Sequence, residues 1–279
     1  MNFDVDSLKV LRERTGAGMM DCRKALVQAD GEIEAAQALI REWGLNEVEK
    51  RAQRKTSEGC VAVARRDGRI ALAALACETD FVARNQAFID LAKTLADRAI
   101  DSFNVGSDPG LTADLGRRMK ENIVLKGIAL LEVGEGDLSD YYVHGDGKIA
   151  AAVKAAPRIS IQDSARAMAA IHDLCLQVAA KKPLYGTSAE VPKEVLSAKE
   201  ADYRTEMESD PKLAGKPQAM IQGILAGRME KWLSESCLLE QWFIKADKLT
   251  VGQYLAGIVA SGGPELEALE FRRLAIGDD

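Results

Sequence analysis

Histidine is nearly absent from this 279-residue chain: only His144 and His172 occur, which leaves little for general acid–base work. The motifs that build catalytic or phosphate sites are missing as well. There is no nucleophile elbow, no P-loop, no H-E-x-x-H and no paired C-x-x-C. Gly134-Glu135-Gly136-Asp137 is glycine-rich but lacks the lysine and the helix start of a phosphate loop, so it reads as a hairpin turn. The five cysteines, at 22, 60, 77, 175 and 237, are odd in number and unpaired in spacing. They read as reduced, buried thiols rather than a disulfide frame or a zinc site. Positive charge is not in excess either; a net charge of −6 disfavours direct nucleic-acid binding. No run of about 18 apolar residues exists to span a membrane. Charged residues begin at Asp4 with no apolar h-region after them, so no signal peptide is expected and the cytoplasm is the expected compartment.

What is present is a protein with real cores. An apolar share of 47% argues against disorder, and the length argues for several sub-domains. Residues 4–44 read as three short helices. Asp6 or Ser7 can cap the first and Gly16 can end it. The second runs from Met19 to Gln28 and breaks at Asp30-Gly31. The third places Ile33, Ala36, Ile40 and Trp43 on one stripe. This unit, residues 1–45, looks like a ubiquitin-associated three-helix module. Met19 and Met20 are adjacent at a glycine-rich helix start. Neighbours on a helix point about 100° apart, so both cannot face one core, and one is expected to face a partner.

Residues 46–58, carrying Lys50, Arg51, Arg54 and Lys55, read as a charged linker or helix end, or else as an electrostatic contact for an acidic partner. A valine- and alanine-rich strand follows, turns at Asp67-Gly68 and returns over Ile70–Cys77. A helix from about Asn85 aligns Phe88, Leu91, Ala92, Leu95 and Ala99. The unit repeats: Asp146-Gly147-Lys148-Ile149 stands 79 residues after Asp67-Gly68-Arg69-Ile70, and Leu174 falls under Leu95. A duplicated antiparallel hairpin-plus-helix core is therefore expected, at 59–127 and 128–192, which makes the fold class α+β. The second copy carries Arg158-Ile159-Ser160-Ile161 where the first has Thr79-Asp80-Phe81-Val82. If the copies are equivalent, the fold itself does not demand Asp-Phe at that turn. Residues 193–235 form two sparse helical runs around SDPKLAGKP, expected as a protruding antiparallel helical hairpin. Residues 236–279 return to a mixed apolar pattern, where Trp242-Phe243 face either a partner or the core, and Asp278-Asp279 read as a frayed end.

The blocks LRERTGAGMMDCRKAL at 11–26 and Thr79-Asp80-Phe81-Val82 together resemble the signatures of the bacterial elongation factor Ts family. The likeness extends over essentially the whole chain and recurs at 177–183 and 239–255. It implies a guanine-nucleotide exchange factor without covalent chemistry, cofactor or metal of its own. Such a factor binds elongation factor Tu, both GDP-bound and nucleotide-free, displaces Mg²⁺ and GDP, and allows GTP to reload. The resemblance assigns Thr79, Asp80, Phe81 and Val82 to dislocation of the partner's Mg²⁺. It assigns Arg12, Met19, Met20, Arg23 and His144 to partner binding, with Arg23 standing where lysine is usual. It reads residues 193–235 as a coiled-coil hairpin and leaves oligomeric state open, a homodimer within a larger complex included. The rival reading is a passive protein-binding scaffold with a ubiquitin-associated-like head, in which Asp80 and Phe81 are structural.

Overall fold

The computed structural model describes residues 5–102, 109–158, 164–213, 216–263 and 265–278. It is a mixed α and β protein with antiparallel sheets. The chain divides into two compact units.

The first unit comprises Met1–Gly59, Ala76–Leu91 and Ser107–Leu125. It opens with α1 (Val5–Thr15), α2 (Met19–Gln28) and α3 (Ile33–Ala52). Helix α1 begins before Asp6 and Ser7, so both lie in its first turn rather than capping it. Gly16 ends α1 with φ +63°, and its amide donates to the Arg12 carbonyl at 2.8 Å. Leu11, Cys22, Ala25, Leu26 and Ala36 are wholly buried, with Ile33, Ile40 and Trp43 packed against them. Helix α3 continues through residues 46–52, which sequence pattern placed in a linker. Later in the same unit come a one-turn helix, α4 (Asp80–Ala83), the start of α5 (Gln86–Asp101), and α6 (Pro109–Met119).

The second unit comprises Cys60–Leu75, Ala92–Gly106 and Lys126–Asp279. Two three-stranded sheets dominate it. One has the order β1 (Glu58–Arg66), β2 (Arg69–Cys77), β3 (Val124–Glu132); the other has β4 (Leu138–His144), β5 (Ile149–Arg158), β6 (Glu265–Ala275). The β1–β2 turn holds Asp67 at φ 51° and Gly68 at φ 68°, the left-handed pair that fits the twist of a tight hairpin. The second hairpin repeats the device with Asp146 at 53° and Gly147 at 86°. Gly134–Asp137 is a turn, closed by the Asp137 amide on the Gly134 carbonyl at 3.1 Å. It is not a hairpin turn, because it joins β3 of one sheet to β4 of the other.

Strand β5 explains the layering. Alternate residues of a strand face opposite sides. Ala151, Val153 and Ala155 are buried with Ile171, Leu174, Cys175 and Val178 of α7 (Ser164–Lys181). On the opposite side, Ala150 clusters with Val61, Leu72 and Ala74, and Ala152 with Ile70 and Leu131 of the first sheet. A strand covered on both faces loses apolar–polar alternation, and its alanines let the layers approach closely. The contrasted segment Ile159–Ile161 of the second repeat lies outside the described residues. Helices α8 (Lys193–Glu208) and α9 (Gln218–Ser236) pair with little burial: Met207 is the buried residue of α8, and Leu225 and Ser236 those of α9, Ser236 at its end where its carbonyl accepts from the Leu184 and Tyr185 amides. Helix α10 (Val251–Ala260) starts from a capping box made by Thr250 and Gln253. Strand β6 was not anticipated from sequence; it pairs with β5 from Ile149↔Ala275 to Arg158↔Glu265. Among the described residues no helix is long and apolar enough to cross a membrane.

Candidate functional site

Strand β2 ends at Cys77, and its last thiol donates to the Thr79 carbonyl at 3.2 Å. The chain then makes a single helical turn. Thr79 is the N-cap of α4, its hydroxyl oxygen accepting from the Val82 amide at 3.4 Å. Asp80 therefore does not cap the turn. It sits in the first position of α4, where the helix dipole favours a carboxylate, and lies 3.7 Å from the Arg84 guanidinium. Phe81 is 83% exposed, and Val82 is half-buried. A phenylalanine this bare beside a wholly buried Phe88 is not core. Its ring stands clear of the core at the tip of α4, open to contact.

The turn is braced by residues that sequence pattern did not single out. The Glu121 carboxylate accepts from the Glu78 amide at 3.0 Å, the Thr79 amide at 3.1 Å and the Thr79 hydroxyl at 2.5 Å. The Glu78 carboxylate in return accepts from the Asn122 amide at 2.7 Å and pairs with Arg54 at 3.3 Å. Nothing local marks Glu121-Asn122, a polar pair between α6 and β3, as different from any surface pair.

The same unit carries the N-terminal candidates. Thr15 folds back onto the Leu11 carbonyl at 2.7 Å and accepts from the Ala17 amide at 3.3 Å, fixing the corner between α1 and α2. Buried Cys22 donates to the Ala17 carbonyl at 3.7 Å from below. Met19 and Met20 leave this corner 56% and 71% exposed, so both face outward. Arg12 and Arg23 are exposed too.

His144 belongs to the other unit. It ends β4, exposed, with the Tyr142 hydroxyl 2.9 Å from its Nδ1. His172 on α7 lies 2.8 Å from Asp140 and edge-on to Tyr142. Trp242 and Phe243 differ in burial. Phe243 is core, stacked on Tyr254 with centroids 4.1 Å apart, while Trp242 is 59% exposed. The five cysteines are buried and none is in a disulfide. Burial pushes the Cys60 thiol up to about 11 and Cys237 likewise to about 11, and holds Cys175 far above the ordinary thiol range. No thiolate nucleophile is poised at these positions. Among the described residues no group of histidine, cysteine, aspartate and glutamate could hold a metal ion.

A family model described as Elongation factor TS matches residues 78–278, which begins at the braced turn. The chain is 34% identical to the elongation factor Ts of Treponema denticola over 99% of its own length and 100% of that protein. It is 36% identical to that of Borreliella burgdorferi, over 97% of both chains. It is 33% identical to that of a Hydrogenobaculum species over 91% of this chain and 93% of the other.

Proposed function

The chain belongs to the elongation factor Ts family, the guanine-nucleotide exchange factors of elongation factor Tu, and we propose that it drives exchange by pressing the Asp80–Phe81 turn into its partner's nucleotide site. The observation that carries this reading is a rigidly braced one-turn helix with Phe81 83% exposed at its tip.

The physical logic is that of a wedge. A P-loop GTPase holds GDP through phosphate-loop amides and through Mg²⁺, which neutralises phosphate charge. A side chain that opens the site removes the metal's ligands without making or breaking a bond. Phe81 offers a large apolar body, and burying it in an opened gap is worth about 1.5–3 kcal/mol. Each 1.4 kcal/mol of differential binding is about tenfold in rate, so Phe81 alone supplies roughly ten- to a hundredfold. The remainder comes from wider contacts: Met19, Met20, Arg12 and Arg23 on the N-terminal helices, His144 on β4, with Thr79 and Val82 flanking the wedge. Exposed methionines adapt to a partner surface at low cost. Because exchange runs both ways, the chain must bind the nucleotide-free partner best and the GDP- and GTP-bound partner less well. In this reading the first three helices are a ubiquitin-associated-like head, α8 and α9 a coiled-coil arm, and the work is done in the cytoplasm.

The test is fluorescent-GDP release from elongation factor Tu, chased with excess GDP, in the presence of the chain or its Asp80→Ala/Phe81→Ala variant. Strong acceleration by the wild type, largely lost in a folded double variant that still binds, supports the wedge. Equal acceleration by both moves the opening step to the N-terminal helices or to β4.

A further inference from the structure

Helix α4 is four residues long, too short to hold its own shape, because the first turn of a helix fixes several dihedrals for a single hydrogen bond. Its internal bonds are few: Ala83 amide to Thr79 carbonyl at 3.2 Å, Arg84 to Asp80 at 3.1 Å, and the long cap from Val82. A wedge on such a turn would spend its force bending its own backbone. From the bracing around it we infer that Glu121 is a positioning residue for nucleotide exchange, holding the Thr79 turn so that Phe81 meets the partner already ordered. The inference rests on the wedge reading above and names the part that makes the wedge stiff.

The chemistry at Glu121 suits that task. A carboxylate offers about four lone-pair positions, and here donors from the turn take three of them: two amides and one hydroxyl. Hydrogen bonds to a charged acceptor are about twice as strong as neutral ones. The brace is also reciprocal. Asn122 donates its amide to the Glu78 carboxylate, and its side chain donates to the Arg54 carbonyl at 3.1 Å and the Ala52 carbonyl at 3.4 Å. The wedge turn is thereby tied to the end of α3, the helix that completes the N-terminal head. Nearby, buried Arg51 donates to the Gly116 carbonyl at 3.1 Å. A Cβ on Gly116 would come within 2.9 Å of the Glu121 carbonyl, so glycine lets α6 lie against the brace. The end of α3 and the wedge turn are thus tied by one hydrogen-bond network.

The experiment titrates the full chain into elongation factor Tu carrying fluorescent GDP. It separates the limiting release rate from the half-saturating concentration, as kcat is separated from KM. Glu121→Gln keeps size and shape but turns an NH₂ toward the turn's N–H and O–H donors. It is expected to lower the limiting rate about tenfold while the half-saturating concentration moves less than about twofold. Thr79→Val, which removes the hydroxyl's bond to Glu121 together with its weak 3.4 Å cap on the Val82 amide, is expected to lose part of the rate, and Thr79→Ser to restore it. Glu121→Gln/Phe81→Ala should be no slower than Phe81→Ala, because both changes act through one side chain. A wild-type limiting rate for Glu121→Gln, a loss confined to the half-saturating concentration, or losses that multiply in the double variant would each overturn the inference. If Phe81→Ala is itself fully active, the wedge reading falls and this inference with it. If Phe81→Ala is slow and Glu121→Gln fast, only the inference falls. Should Glu121→Gln fail to fold by thermal melt, the threonine pair decides: slow valine with restored serine supports it, and wild-type valine overturns it.

Discussion

The Gln177 side-chain amide donates to the Gln241 side-chain carbonyl at 3.0 Å, and both residues are buried. The same Gln177 nitrogen donates to the Trp242 carbonyl at 3.1 Å, and its oxygen accepts from the Ile244 amide at 2.9 Å. Gln241 in turn donates to the carbonyls of Lys181 and Glu235. One α7 side chain thus fixes the path of residues 241–244. Neighbours on extended chain face opposite ways. Phe243 turns in to stack on Tyr254, and Trp242 turns out.

Gln177→Leu should therefore destabilise strongly although it adds apolar surface. It takes the Gln177 partner from the Ile244 amide and from the Gln241 side-chain carbonyl. We expect a loss of about 2–4 kcal/mol in urea unfolding, since each buried orphan costs about 1–3 kcal/mol. The exposed Trp242 should report a loosened loop by a changed emission maximum before the main transition. A variant as stable as the wild type would show that water replaces the amide.

Phe81 and Phe88 make a controlled pair seven positions apart. Phe81→Ala should change stability by no more than about 0.5 kcal/mol, as exposed substitutions do. It should slow partner-stimulated GDP release by roughly ten- to a hundredfold. Phe88→Ala empties a wholly buried site and should cost about 3–5 kcal/mol. Urea unfolding and GDP release on both variants check the contrast, and a destabilised Phe81→Ala would mean the ring packs somewhere in solution.

The head should separate binding from opening. Met19→Ala/Met20→Ala removes two exposed side chains and leaves Cys22, Ala25 and Leu26 packed beneath them. The half-saturating concentration for GDP release should rise about tenfold while the melting temperature stays fixed. A fall in the limiting rate alone would place the methionines in the opening step instead.

These features were unequally legible. Helices α2, α8 and α9 have their ends in the sequence, because a glycine or a proline stands just before each of them. The two hairpin turns were legible because Asp-Gly supplies the positive φ they need. Strand β6 was not, since its pairing with β5 joins residues more than a hundred positions apart and no local pattern encodes that partner. Met19 and Met20 stand out in sequence as adjacent apolar residues at a helix start, whereas Phe81 reads by itself as core and is singled out by the family resemblance and the contrast with the second repeat. Glu121 and Gln177 do not, because an ordinary polar residue becomes a brace only through what folding brings to it.

Buried thiols give a cheap check on the packing. The five cysteines are covered, with Cys60 and Cys237 pushed up to about 11 by burial. At pH 8 the native protein should react slowly with a disulfide reagent such as DTNB, and all five cysteines should react at once in denaturant. Fast labelling of one cysteine in the native state would locate a region that opens on its own.

Asp278, read from the sequence as part of a frayed end, instead anchors the chain after β6. Its carboxylate bonds both the Lys182 ammonium and the Arg273 guanidinium, and Arg273 also donates to the Ala179 carbonyl at 3.1 Å. Burial pushes the Asp278 carboxyl up, but the two cations outweigh it and hold it below the usual carboxylate range. A group whose folded pKa is depressed contributes its stability above the unfolded value, about 3.9, and loses it as pH falls through the folded value. Asp278→Asn should thus be less stable than the wild type at pH 7, and the gap should close as the pH falls below the carboxylate range. Salt should shrink the gap at pH 7 as well, because the side chain is partly exposed. Urea midpoints for both proteins at pH 7 and pH 3 decide it. A gap of equal size at both pH values would mean that Asp278 holds β6 by shape and hydrogen bonding, and that its charge contributes nothing.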